Sequence, residues 1–367
     1  MLKINTSKRL WATYTTIGKT FGQWFSPLFT GLFIPGFKLK VILYNYLDKL
    51  FLPKVATRRL KTPILIVGNP RSGTTFLQRF LATHVGTGSE LWELIFSSLI
   101  LQKFVKPFLP LLEKFSPTKH HSTEAHKTSL SSVETDDASI LFRYNDGFFL
   151  YGFILAWAEE DLFPWFDPQQ RNMAERDFDW LSRMWSKKLY KSKKDYYFGK
   201  LFSVSANMPS FQRYFPDGKV LYMVRDPLQV IPSGLSLITG VLDKKFGFWN
   251  LPKEKRERYL NRMYLALKEL LIRFHADWTT NKIDKTKVKI VTFNRLMNDF
   301  DNLMFEILEF LEIEKSTELN ELILETAKTQ NEFQSNHQYN LEKFGLNEAQ
   351  IRIDCKEIYD TFLNGKF

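Results

Sequence analysis

The chain has 367 residues, 44% of them apolar, which is enough for a sizeable core and excludes a disordered protein. Its net charge of +11 suits an anionic ligand or an anionic membrane surface, while no recognised DNA- or RNA-binding module is present and no nucleic-acid partner is expected. A lone cysteine, Cys355, excludes a disulfide framework and any multi-cysteine metal centre, and it fits a reducing, cytoplasmic compartment.

In chain order, residues 1–60 form a helical segment rich in aromatic and basic residues. Within it, Phe21 to Leu52 carries Trp24, Phe25, Phe37, Tyr44 and Tyr46 among lysines, and Pro27 and Pro35 are expected to break it. Such a segment suits either a membrane interface, giving peripheral association, or a helix pair packed on the domain. Pro63 to Gly68 is a short continuous apolar run ending in glycine, as expected of a buried parallel strand, and Thr75 to Leu81 reads as the helix after it. Leu94 to Ser192 reads as a mostly helical, aromatic-rich insertion covering the site. Tyr196 to Phe202 is a candidate strand, and Lys219 to Val224 is a clearer one, followed by a helix that Asp226 caps and Pro227 opens. Glu254 to Thr280 repeats apolar residues at helical spacing. Val288 to Phe293 is a further strand, followed by a helix from about Asn298 to Leu311, and residues 351–367 close the chain as a helix. Strands alternating with helices predict an α/β fold: a P-loop-like parallel β-sheet flanked by helices, making one domain over residues 61–350.

The most specific local feature is Gly68-Asn69-Pro70-Arg71-Ser72-Gly73-Thr74-Thr75, between a buried strand and a helix. Glycines let successive N–H groups curl toward an anion, and the helix start behind them adds partial positive charge. Arg71 supplies a guanidinium fork, and Ser72, Thr74 and Thr75 supply hydroxyls. A nucleoside-triphosphate loop reads G-x-x-x-x-G-K-[ST]. Here the spacing holds but Thr74 stands at the lysine position, which weighs against an ATP-dependent kinase without removing it as an alternative.

Ile66 to Thr75 closely resembles the 5′-phosphosulfate loop of sulfotransferases that use 3′-phosphoadenosine-5′-phosphosulfate (PAPS), most nearly the bacterial family related to the tyrosylprotein sulfotransferases. That resemblance implies PAPS as cosubstrate and a second motif, a strand ending in Arg-Asp-Pro with a serine eight residues after the arginine. Arg225-Asp226-Pro227 and Ser233 match it, so Arg225 and Ser233 are the positions implied to grip the 3′-phosphate. The family's lysine fifteen residues before Phe-Pro falls at Lys200, although Leu201-Phe202 depart from its usual Lys-Ser-Pro or Lys-Asn-Pro. Trp92-Glu93 matches the family's Trp-Glu, and Tyr339 to Leu346 is similar to its closing signature. One departure is Phe293-Asn294, where relatives commonly have Tyr-Glu.

By the same resemblance Glu93 is the general base, with Glu90 and Glu134 as rivals, and Lys200 and Arg71 stabilise charge on the sulfuryl oxygens and the departing phosphate. No metal is expected in the reaction. His120, His121 and His126 read as a mobile polar loop in preference to a metal site, and His84 as a helix-terminal residue. The aromatic residues of the insertion suit an apolar acceptor, a lipid or sterol, and equally a glycan. A non-catalytic, membrane-associated nucleotide-binding protein is the other alternative. The oligomeric state is not readable from the sequence.

Overall fold

A computed structural model of the chain describes residues 2–115, 128–332 and 341–363. The chain forms two compact units, the first from residues 1–60, 88–195 and 235–266, the second from residues 61–87, 196–234 and 267–367.

The second unit carries the sheet: β1 (Ile64–Gly68), β2 (Phe198–Lys200), β3 (Lys219–Val224) and β4 (Val288–Thr292), in the order β2-β1-β3-β4, all parallel. Parallel strands are covered on both faces, and β1 is buried at all five positions, which is why it reads as an unbroken apolar run. β2 is the shortened form of the expected strand at Tyr196 to Phe202, because the chain leaves the sheet after Lys200 and winds into a 3-10 turn, Phe202–Ala206. Tyr222 of β3 stacks on Phe274 with ring centroids 3.3 Å apart. The last part of the helix Lys253–Thr279 thus covers one face of the sheet. Cys355 is buried, and desolvation pushes its thiol up to about 12.

Because the strands are parallel, their carboxyl ends share one edge of the sheet. The chain moves from β1 to β2 on one side, whereas β3 lies on the other. That makes the β1–β3 boundary a topological switch point, where the connections diverge and leave a crevice. The segments leaving β1 and β3 at this edge begin at Asn69 and Arg225. β4 leads directly into the helix Phe293–Asn298, because the Thr292 side chain accepts from the Arg295 N–H and caps it. The helix expected from about Asn298 to Leu311 is Phe300–Leu311, and Phe293–Asn298 is a short additional helix before it, the two separated at Asp299.

The first unit is helical. Its N-terminal helices, Thr6–Phe21 and Phe25–Phe51, correct one expectation: the second continues through Pro35. Proline in a helix interior costs about 3 kcal/mol, and anchors farther along offset it. Asp48, fully buried, accepts from the backbone N–H groups of Leu99 and Ile100 and pairs with Lys187 Nζ at 2.8 Å. Pro27, in the first turn, interrupts no helical hydrogen bond. The first helix is anchored by Arg9, which donates to the carbonyls of Tyr144 and Asn145 and lies 3.5 Å from buried Asp146. Arg171 and Arg176 complete this cluster, at 2.7 and 2.9 Å from Asp146. Burial opposes ionisation of Asp146, but three guanidinium groups outweigh it and keep the carboxyl below its ordinary range. Trp157, Tyr259 and Phe248 form an aromatic core, with Trp157 stacked on Tyr259 at 4.1 Å.

Candidate functional site

The loop after β1 is built around two positions that only glycine suits. Gly68 has φ 143° and Gly73 has φ 91°. A Cβ on Gly68 would lie 2.6 Å from the Met223 carbonyl oxygen, and one on Gly73 would lie 2.7 Å from Leu296 Cδ2. Close packing therefore adds to the backbone demand. Between them Asn69 is buried and donates through Nδ2 to the Leu267 carbonyl at 2.9 Å, pinning the loop to the helix behind the sheet. Ser72 is also buried, and its Oγ donates to the Asn69 carbonyl at 2.7 Å. Arg71 has φ 77°, a left-handed conformation uncommon for a non-glycine residue. Thr74 is buried and Thr75 partly exposed at the start of the helix Thr74–His84.

Arg71 Nε donates to Ser233 Oγ at 3.1 Å, and Arg225 Nη1 donates to the Arg71 carbonyl at 2.7 Å. The two arginine-and-hydroxyl clusters anticipated from sequence thus meet at the β1–β3 switch point, although 162 residues separate Arg71 from Ser233. Arg225 is oriented from two further sides. Its Nε and Nη2 donate to Gln229 Oε1 at 3.2 and 3.1 Å, and its guanidinium carbon lies 4.1 Å from the centroid of the Phe293 ring. Gln229 and Phe293 are the residues that sequence reasoning missed. The signal for Gln229 was its place in the first turn of the helix that follows Arg225. Phe293 was noted only as a departure from Tyr. In the fold it supplies a flat apolar face to a cation and packs beside Gly73.

Lys200 ends β2, is buried, and donates through Nζ to Thr75 Oγ1 at 3.0 Å. The cation that a triphosphate loop carries at the Thr74 position is absent, and a different one reaches the start of the same helix from the neighbouring strand. Asp226 turns away from this cluster: its Oδ1 accepts from the Leu228 N–H at 2.8 Å and from the Tyr359 hydroxyl at 2.5 Å. It caps the helix after β3, as expected. His84 sits in the last turn of the helix Thr74–His84 against Phe80, with desolvation lowering its basicity.

Glu93 belongs to the first unit. It is buried on the short helix Leu91–Ile95 and closes a reciprocal capping box, accepting from the Glu90 N–H at 3.0 Å. Lys188 Nζ and Lys191 Nζ donate to its two carboxylate oxygens at 2.6 and 2.7 Å. Burial opposes its ionisation, but the two ammonium groups outweigh burial and hold its carboxyl below the ordinary range. The rivals differ in setting. Glu90 is partly exposed and accepts from Trp92 Nε1 at 2.8 Å, and Glu134 is buried.

Among the described residues no group of three or more His, Cys, Asp or Glu is arranged to hold a metal ion. His120, His121 and His126 lie outside the described residues, as does the Tyr339 end of the closing signature.

A model of the sulfotransferase family matches residues 63–318 of the chain. No curated protein matches it. Among solved structures, the fold is similar to sulfotransferase STF1 from Mycobacterium tuberculosis H37Rv, with a TM-score of 0.67 and 16% identity over 95% of this chain and 90% of that one. It is also similar to sulfotransferase STF9 from Mycobacterium avium, with a TM-score of 0.63 and 16% identity over 87% of this chain and 81% of that one. At that identity the two structures speak to the fold, while the family match speaks to descent.

Proposed function

The chain belongs to the sulfotransferase family, and from that premise we propose that it transfers a sulfuryl group from PAPS to a hydroxyl or amine acceptor. The observation that carries this reading is the contact of Arg71 with Ser233 and of Arg225 with the Arg71 carbonyl at one end of the sheet. Two anions bridged by one adenosine need two cation sets near each other, and this cluster supplies them. Glycine-opened backbone, the threonine hydroxyls and Arg71 suit a 5′-phosphosulfate, and Arg225 with Ser233 suits a 3′-phosphate. PAPS, when bound, supplies an activated sulfuryl group on a phosphate leaving group.

In the transfer, the acceptor oxygen (or nitrogen, for an amine) forms the new bond to sulfur and gives up its proton, and the S–O bond to the 5′-phosphate breaks with its electron pair going to the phosphate. Arg71 and Lys200 lie at the start of the loop helix, where protein cations offset charge on the sulfuryl oxygens and on the leaving phosphate. Glu93 is the proposed base for the acceptor proton, since its neighbours keep it ionised at neutral pH. The same two lysines reduce its basicity, so release of one of them would accompany proton uptake. The proposed acceptor class is an apolar alcohol such as a lipid or sterol, with a glycan as the rival, and the proposed location is the cytoplasm at a membrane surface.

The test uses calorimetry with 3′-phosphoadenosine-5′-phosphate, followed by radiolabelled PAPS with lipid and glycan extracts. Binding that is lost in both Arg71→Ala and Arg225→Ala, with label entering an extract, is the expected result. Preference for ATP with magnesium, or affinity unchanged by both substitutions, would overturn the reading.

A further inference from the structure

The helix Phe25–Phe51 is turned inside out in its second half. Val41, Tyr44, Asn45 and Asp48, at helical spacing, face the first unit. Two of those four are polar, and both are tied to Lys187. The opposite stripe, Leu39, Ile42, Leu43, Tyr46 and Leu50, is exposed: Leu39 is 68% and Tyr46 64% accessible, against 0% for Asp48. A helix of a soluble domain buries its apolar stripe and exposes its polar one. Here the more apolar face points outward.

Neighbouring elements also expose large apolar residues. Phe104, Phe108 and Leu111, on three successive short helices, are all exposed, and the Phe104 ring meets Tyr44 of the inner face edge-on at 6.1 Å. On the first helix Trp11 is exposed, and its ring meets Tyr14, which in turn meets the exposed Trp24. Tryptophan and tyrosine favour a boundary between hydrocarbon and water.

Charge identifies the occupant. Residues 1–60 hold ten basic residues against one acidic residue, a net +9 of the chain's +11. The one acid is Asp48, buried on the inner face; of the cations, Arg9 is buried against Asp146 and Lys19 and Arg59 pair with Glu159 and Asp179, whereas Lys40 and Lys49 are exposed on the same helix as the apolar stripe, which carries no exposed carboxylate. Exposed Lys40, Lys49, Lys103 and Lys106 border the apolar stripes. A protein partner with apolar complementarity would not require so one-sided a charge, whereas an anionic bilayer presents hydrocarbon beneath a negative surface. Among the described residues no helix is long and apolar enough to cross a membrane.

We propose that the outer stripe of Phe25–Phe51 docks in the interface of an anionic lipid bilayer. This deepens the membrane location proposed above and is independent of the sulfuryl chemistry.

The test is co-sedimentation of the full chain with phosphatidylcholine vesicles, with and without phosphatidylglycerol. Binding to the mixed vesicles that weakens with added salt is expected, with a loss of about tenfold or more in Leu43→Glu/Tyr46→Glu. Lys40→Glu/Lys49→Glu should lose the preference for phosphatidylglycerol while keeping the apolar stripe. Calorimetry with 3′-phosphoadenosine-5′-phosphate on each variant checks that the fold is intact, and separates failure of docking from failure of the cofactor reading. No sedimentation with either vesicle would overturn the proposal. So would equal sedimentation of wild type and Leu43→Glu/Tyr46→Glu, or a wild-type dimer that this double variant converts to monomer.

Discussion

Arg71 and Ser233 touch: the guanidinium Nε of the first donates to the hydroxyl of the second at 3.1 Å. One side chain comes from the loop after β1, the other from the helix after β3, so a single hydrogen bond ties both halves of the proposed nucleotide site. Each charge-assisted hydrogen bond to a phosphate is worth about 1.5–3 kcal/mol, and 1.4 kcal/mol is about tenfold in affinity. Arg71→Ala is therefore expected to weaken 3′-phosphoadenosine-5′-phosphate binding by about tenfold to a hundredfold. Ser233→Ala should weaken it less, since a neutral hydroxyl is lost. Calorimetry on the two variants and their combination gives the coupling. Strict additivity would mean that the two side chains serve separate anions without communicating.

Phe293 is expected to act through Arg225. The ring lies under the guanidinium, whose other edge is held by Gln229. A cation–π contact of this kind is worth about 0.5–2 kcal/mol. Phe293→Leu should raise the dissociation constant for 3′-phosphoadenosine-5′-phosphate by about twofold to thirtyfold, and Phe293→Tyr, which keeps the ring, should raise it little. In the background of Arg225→Ala both substitutions should lose their effect on affinity. A Phe293→Leu variant that binds like wild type would assign the ring to packing beside Gly73 alone.

How much of this was legible in the sequence depends on the range of the forces involved. The loop could be read because a phosphate cradle after a buried strand demands small residues at fixed local spacing, and Gly68 and Gly73 meet that demand. β1 and β3 could be read because buried parallel strands are apolar runs, and β4 because Val288, Ile290, Val291 and Thr292 are β-branched although Lys289 interrupts them. The stacking of Arg225 on Phe293 could not, since it exists only because β4 lies beside β3 in the sheet. Asp146 with Arg9, Arg171 and Arg176 was equally hidden: four charges scattered through the sequence carry no periodicity, and only folding desolvates them together. Pro35 misled for the opposite reason. A local rule predicted a break, and tertiary anchors at Asp48 overrode it.

Gly68→Ala should be far more harmful than Gly22→Ala. Both glycines have positive φ, at 143° and 68°, so both substitutions cost backbone strain. At Gly22, however, an added Cβ has nothing within 4 Å, whereas at Gly68 it would lie 2.6 Å from a carbonyl oxygen of β3. Overpacking against backbone adds about 1–3 kcal/mol. Thermal denaturation should show a clearly lower midpoint for Gly68→Ala than for Gly22→Ala. Equal midpoints would mean that the loop yields without disturbing the sheet.

The pH dependence of Glu93→Gln separates two roles for this carboxylate. Its folded-state pKa is depressed below the ordinary 4.5, because the opposition from burial is outweighed by Lys188 and Lys191. A depressed carboxyl contributes stability that is fully present above its unfolded pKa and lost as pH falls through the folded one. At neutral pH Glu93→Gln should therefore lower stability, by about 1–3 kcal/mol for the lost charge-assisted bonds. The gap to wild type should close as the pH drops below 4.5 toward the depressed folded value. That much follows from the ion pairs alone. Service as base adds a further loss that stability does not explain: turnover at neutral pH should fall at least about a hundredfold, at a temperature where the variant is fully folded. Near-normal turnover together with the stability defect would leave Glu93 as the clasp of the Leu91–Ile95 turn and send the search for the base to Glu90 and Glu134.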